Sequence, residues 1–164
     1  MKKYAVCLMA LLLIVPVLAI AEEAPKYGKE VGQALKPFDL PQVEGGNVTL
    51  ESLAGKKTVL IFMQSSCTQC RDEMRAANEM YEEVKDKANV VAIGVDIESR
   101  RLTQYKKAYK ITFPILLDPE FAVGTSAGVR VTPATVVLDK EGKIVEKILG
   151  GLTRGDVEEL FGKL

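Results

Sequence analysis

Residues 58 to 63 read TVLIFM, a run of apolar or β-branched side chains without a break. A strand with one wet face alternates apolar and polar residues, so an unbroken run demands cover on both faces. A chain that contains such a strand must lay helices or loops on both sides of a sheet. Residues 90 to 97, VVAIGVDI, repeat the demand. Between them the period changes. Met74, Ala77, Tyr81 and Val84, with Met80 beside them, recur at spacings of three and four, which predicts an amphipathic helix over 68–87. Leu102, Tyr105 and Tyr109 mark a second helix ending near Lys110. Residues 113–118 predict a short third strand, and 119–126 a short helix with Pro119 in its first turn. Residues 134–138 form a fourth strand, and 143–149 a fifth, antiparallel to it across the turn at 139–142. Thr153 suits the N-cap of a last helix whose apolar side is Val157, Leu160, Phe161 and Leu164. Ahead of all this, Phe38, Leu40, Val43, Val48 and Leu50 flank Gly45-Gly46 and predict a hairpin, followed by one helical turn closed by Gly55. Alternating strands and helices predict an α/β domain with a largely parallel central sheet and an antiparallel edge from the last hairpin.

The N-terminus has another character. Lys2 and Lys3 precede an apolar run from Ala5 to Ala21 that ends in Ala19-Ile20-Ala21. Small residues at those places after a short positive region form the pattern of a secretory signal peptide over 1–21. The alternative is an uncleaved membrane anchor, although the run is short against the roughly 20 apolar residues of a span. Either way the chain is expected to work in the periplasm or otherwise outside the cytoplasm. Residues 22–32 read as a flexible lead-in, and 33–164 as one domain. Cys7 lies in the apolar run and is given no chemistry. The 22 basic and 22 acidic residues are scattered, which argues against a nucleic-acid surface. There is no histidine, which removes Ser-His-Asp and Cys-His catalysis and the commonest metal ligand.

Two cysteines remain, in the stretch SSCTQCRDE, where Thr68 and Gln69 separate Cys67 from Cys70. They fall between a buried strand and the head of a long helix. Outward N–H groups and the positive end of the helix dipole favour a thiolate there, at Cys67. Cys70, one turn further in, is expected to face the sheet, and the spacing allows a Cys67–Cys70 disulfide. As a redox couple, Cys67 would attack a partner disulfide and Cys70 would resolve the mixed disulfide. A structural bridge is the second reading, although so short a loop adds little stability by chain entropy. A metal site is the third, although structural zinc takes four Cys or His ligands. Further along, Thr132-Pro133 precedes the fourth strand. A trans proline is ordinary at a strand start. A cis bond would turn the chain toward the strand–helix junction that holds the cysteines.

VLIFMQSSCTQCRDEM, VVAIGVDIESRRLTQYKKAYKITFPILLDPE and GVRVTPATVVLDKEGKIVEKILGGLT, taken in that order, resemble the thioredoxin superfamily. More narrowly they resemble the TlpA/ResA-like extracytoplasmic thiol–disulfide oxidoreductases, over the chain from about residue 32 onward. The extra β-α unit from Val90 to Lys110 is a mark of that group. The resemblance implies a thioredoxin-like three-layer α/β/α sandwich with a mixed central sheet and an N-terminal β-hairpin. It implies a monomeric disulfide reductase acting on exported proteins, with apocytochrome c among the group's substrates. It also implies re-reduction by a membrane-embedded electron donor, and no cofactor or metal. Thr132 and Pro133 match the family's substrate-facing cis-proline loop. Glu73 matches a glutamate that influences thiol acidity in the ResA-like branch. A buried carboxylate near a thiol disfavours the thiolate and can take or give a proton. A solvated helix-surface glutamate is the other reading of that position.

The chain departs from the family in two places, with Ser66 where relatives carry tryptophan and Gln69 where they often carry proline, and Ile61 stands where plain thioredoxin, unlike this group, has a buried aspartate. Two alternatives accompany the reductase reading. A peroxiredoxin-like peroxidase shares the fold, but it wants a threonine three residues before its reactive cysteine, where Gln64 precedes Cys67. A thioredoxin-fold chaperone would hold Cu(I) on the two thiolates.

Overall fold

The computed structural model describes residues 31–164. The expected signal peptide and nearly all of the lead-in lie outside these residues. A hairpin of β1 (Asp39–Pro41) and β2 (Asn47–Thr49) comes first, then a 3-10 turn over Glu51–Leu53. Gly45 and Gly46 carry the hairpin turn at φ of 97° and 75°, a region closed to most side chains. Next come β3 (Lys57–Met63), α1 (Thr68–Val84), β4 (Ala88–Gly94) and α2 (Ser99–Tyr109). The chain continues through β5 (Ile115–Leu117), α3 (Ala122–Ser126), β6 (Ala134–Leu138), β7 (Ile144–Leu149) and α4 (Arg154–Gly162).

The five-stranded sheet has the order β5-β4-β3-β6-β7. β3 sits at its centre and is buried on both faces, as the unbroken run requires. Val59, Ile61 and Met63 pack with α1, α2 and α4, whereas Leu60 and Phe62 face α3 and the N-terminal hairpin. The result is a three-layer α/β/α sandwich with a mixed sheet.

Two readings are corrected. The sheet is not largely parallel, because only β3–β4 and β4–β5 pair in parallel while β3–β6 and β6–β7 are antiparallel. The five residues of α3 rise only about 7.5 Å, too little to carry the chain back along the sheet, so β6 starts at the end where β5 finishes. Pro119 is not in a helical first turn. α3 begins three residues later, and its first N–H groups at Ala122 and Val123 are held by the buried Asp118 carboxylate at 2.9 Å each. The ring of Phe121 lies across Gly124, where a Cβ would meet it at 2.0 Å.

The outer strands are partly covered. The Val43 amide donates to the Ile115 carbonyl on the β5 side, and Gly32 and Gln33 pair with Ile144 at the start of β7.

Candidate active site at the carboxyl end of the sheet

Strand register collects five loops at one end. Met63 pairs with Gly94, Gly94 with Leu117, Phe62 with Ala134, and Ala134 with Leu149. The segments that follow β3, β4, β5 and β7, and the one that precedes β6, therefore emerge together.

The first of them carries the cysteines. A turn closed by the Cys67 amide on the Gln64 carbonyl at 3.0 Å delivers Cys67 to the N-cap of α1. Its sulfur accepts the Cys70 amide at 3.1 Å. The two cysteines are disulfide-bonded with Cα atoms 5.2 Å apart. They are unequal: Cys67 is half-exposed, whereas Cys70 is 0% exposed and packs with Met74 and Ile61 in the core on the α1 side of the sheet.

Glu73, one turn after Cys70, is 0% exposed, so it is not a solvated surface residue. Thr135 Oγ1 donates to one carboxylate oxygen at 2.5 Å, and the Leu152 amide to the other at 3.1 Å. Burial pushes its carboxyl above the ordinary range, and the bonds from Thr135 and Leu152 oppose that shift in part. Ile61, where plain thioredoxin carries its acid, is buried and apolar. Glu73 is thus the buried carboxylate on the α1 side of the cysteine pair.

Thr132 and Pro133 enter β6 through a cis bond. The Gly150 amide donates to the Pro133 carbonyl at 3.0 Å. A Cβ at Gly151 would lie 3.2 Å from Cβ of Gln69 and 3.4 Å from Cγ of Pro133. Pro133, the glycine pair and Gln69, between the cysteines, therefore pack as one patch.

Sequence reasoning missed four residues here. Asp96, buried just after β4, accepts the Ser65 amide at 2.8 Å and the Ser65 hydroxyl at 2.5 Å, fixing the loop two residues before Cys67. A buried acid at the carboxyl end of a strand beside the cysteine-bearing one was the available signal. Thr135 and Gly151 had only their places, two residues after Pro133 and just past β7, to mark them. Among the described residues, no group of three or more His, Cys, Asp or Glu side chains is placed to hold a metal ion. Among the same residues, no helix is long and apolar enough to cross a membrane.

A helix-capping cysteine paired with a buried one, a cis proline beside them and this sheet order define a thiol–disulfide oxidoreductase of the thioredoxin fold. The AhpC/TSA family matches residues 31–147, and the chain belongs to that family. It is similar to the thiol-disulfide oxidoreductase ResA of a Bacillus cereus strain, at 30% identity over 142 residues, 86% of this chain and 82% of the relative. Among solved structures it is similar to a Chlorobium tepidum protein assigned as the thiol:disulfide interchange protein DsbE. That likeness has a TM-score of 0.75 and 25% identity over 82% of this chain and 94% of the other. It is also similar to the exposed lipoprotein thioredoxin Etrx1 of Streptococcus pneumoniae strain TIGR4. Here the TM-score is 0.68 and identity 26%, over 79% of this chain and all of the other.

Proposed function

We propose that this chain reduces disulfides in exported proteins, outside the cytoplasm. The observation that carries the reading is the asymmetry of the pair: a half-exposed Cys67 at a helix N-cap, and a fully buried Cys70 followed one turn later by buried Glu73. The apolar N-terminal run and the likeness to an exposed lipoprotein support the location.

The cycle begins from the dithiol. The Cys67 thiolate, favoured by the N–H groups of the first turn, attacks one sulfur of the substrate disulfide. The substrate S–S bond breaks, and its departing sulfur leaves as a thiolate and takes a proton from water. Cys70 then loses its proton to Glu73, whose raised affinity for protons makes it a stronger base than an ordinary carboxylate. The Cys70 thiolate attacks the Cys67 sulfur, and the second substrate sulfur leaves as a thiolate. Two electrons pass to the substrate, and the Cys67–Cys70 disulfide remains. The Glu73 role belongs to a pair that starts as dithiol, which is the reducing direction. Thr132 presents backbone to the substrate chain at its cis bond to Pro133, whose ring packs with Gly151 beside Gln69. Restoring the dithiol requires a donor of two electrons and two protons, which we assign to a membrane-embedded dithiol protein.

Cys70→Ala tests the reading. It should trap substrates on Cys67 as mixed disulfides in envelope extracts, while the wild type reduces an insulin-type test disulfide. No adduct together with no reduction would reject it. Faster consumption of hydrogen peroxide than of the test disulfide would favour a peroxidase instead.

A further inference from the structure

The exposed apolar side chains of this protein are unevenly placed. Among the described residues six large ones are exposed, and three of them stand at the end of the sheet that holds Cys67. Ile97 follows β4, Val131 precedes β6 and Leu149 ends β7, so each lies on a segment that emerges at that end. Ile97 is the most exposed of the six, at 86%, against 51% for Val131 and 59% for Leu149. An apolar residue exposed singly needs no explanation, but three gathered at one reactive end do.

Ile97 is held out between two anchored stretches of backbone. Before it, the Val95 amide donates to the Met63 carbonyl at 3.0 Å, and the buried Asp96 carboxylate accepts both the amide and the hydroxyl of Ser65. After it, the Glu98 carbonyl accepts the Arg101 amide at 3.0 Å as α2 begins. The turn is thereby pinned to the loop that carries Cys67, two residues beyond Ser65. Ser66, in that loop, is exposed and has no ring to offer an apolar surface.

A second, independent observation is the distribution of charge. The segments 64–69, 131–134 and 149–153 contain no Asp, Glu, Lys or Arg, in a chain with 22 basic and 22 acidic residues. Charge begins at the rim, with Glu98 and Arg130, and past Cys70 Arg71 pairs with Asp72. A surface of this kind strips water from any charged side chain laid on it and offers no ion pair in return. Large apolar side chains gain by covering it.

The exchange reaction determines what covers it. Cys67 is the sulfur bonded to the substrate in the mixed disulfide, so the residues next to the target cysteine lie over the segments around Cys67. We propose that Ile97 is a specificity residue that packs against a large apolar side chain of the substrate polypeptide beside its target cysteine. Val131 and Leu149 take the substrate chain on the other flank, since β4 and the β6–β7 pair lie on opposite sides of β3. The preferred substrates are unfolded segments whose cysteines have leucine-like neighbours, which a folded protein would bury. The proposal rests on Cys67 as the attacking sulfur, and it adds a preference that exchange alone does not require.

The test uses two synthetic disulfide peptides, identical except for Leu or Asn at the two positions flanking the target cysteine. Bis(2-hydroxyethyl) disulfide, which has no side chains, is the third substrate. The wild type should show a kcat/KM about fivefold higher for the Leu peptide, undiminished by added salt. Ile97→Ser and Leu149→Ser should each cut that preference by about half or more, and Ile97→Leu should keep it. Both residues are exposed, so these variants are expected to fold, with urea midpoints near that of the wild type. Val145→Ser, which removes an exposed apolar side chain from the start of β7, should leave the preference intact. All variants should reduce the hydroxyethyl disulfide at the wild-type rate. Equal wild-type rates on the two peptides, a preference that survives Ile97→Ser, or an equal loss in Val145→Ser would overturn the proposal. A wild type that reduces none of the three substrates would reject the reductase reading itself, and this one with it.

Discussion

Thr135 donates a 2.5 Å hydrogen bond to Glu73, tying the start of β6 to the second turn of α1 across 62 residues of sequence. The Leu152 amide holds the other carboxylate oxygen. A carboxyl group with no exposed surface is thereby fixed between the cysteine helix, the strand that follows the cis proline and the loop before α4. Burial favours its neutral form, and the two donors favour its charged form.

Glu73 should make folding stability depend on pH in a definite direction. Its folded carboxyl holds a proton more tightly than the unfolded one, whose ordinary value is 4.5. The energetic penalty is therefore absent below that value and grows as pH rises toward the raised folded value. Urea unfolding of the oxidised protein should give a Glu73→Gln variant that gains on the wild type across that window. A difference that stays constant from pH 4 to pH 8 would contradict the assignment.

Thr135→Val keeps the shape of the side chain and removes the donor. It should destabilise the protein by about 1–3 kcal/mol, the range for leaving a buried polar group without its partner. It should also push the Glu73 carboxyl higher still, moving the pH profile of Cys67 alkylation in the reduced protein. Thr135→Ser should restore both. A profile that does not move in Thr135→Val would separate Glu73 from the thiols.

Asp96→Ala releases Ser65 and with it the loop that aims Cys67. The expected loss is about 2–3 kcal/mol in urea unfolding, with exchange about tenfold slower. Ser65→Ala on top should add less than its own single effect, because the two share the contact. Full additivity would mean that the contact contributes nothing.

Two nearby glycines should respond in opposite senses. Gly151→Ala crowds Gln69 and Pro133 and should destabilise by about 1–2 kcal/mol. A Cβ added at Gly155 in α4 would come no closer than 3.9 Å to a side chain, that of Thr153, so Gly155→Ala should stabilise by about 0.5–1 kcal/mol. Thermal unfolding of both variants checks the pair, and effects of the same sign would refute the packing argument.

Much of this fold was legible because burial leaves a periodic trace. β3 begins one residue earlier than the run TVLIFM, and Thr153 caps α4 as its position suggests, with Asp156 completing a capping box. Direction leaves no such trace. A buried strand reads alike whichever way it runs, so the antiparallel entry of β6 was hidden until the short span of α3 was known. The cysteine pair and Thr132-Pro133 could be found because each is local. Glu73 could not be settled from sequence, because its burial depends on how Thr135 and Leu152 close over the helix. Ser65 and Asp96 lie 31 residues apart and meet only through the register of β3 with β4.

Cys67 is both the less buried sulfur of the pair and the N-cap of α1, accepting the Cys70 amide. A thiolate accepts a hydrogen bond far better than a neutral sulfur does. The seventeen-residue helix therefore starts at an atom whose charge changes with each turnover. Its first turn is a built-in gauge of oxidation state, tightened when electrons arrive and loosened when they leave, and the Cys70 N–H is where that gauge can be read.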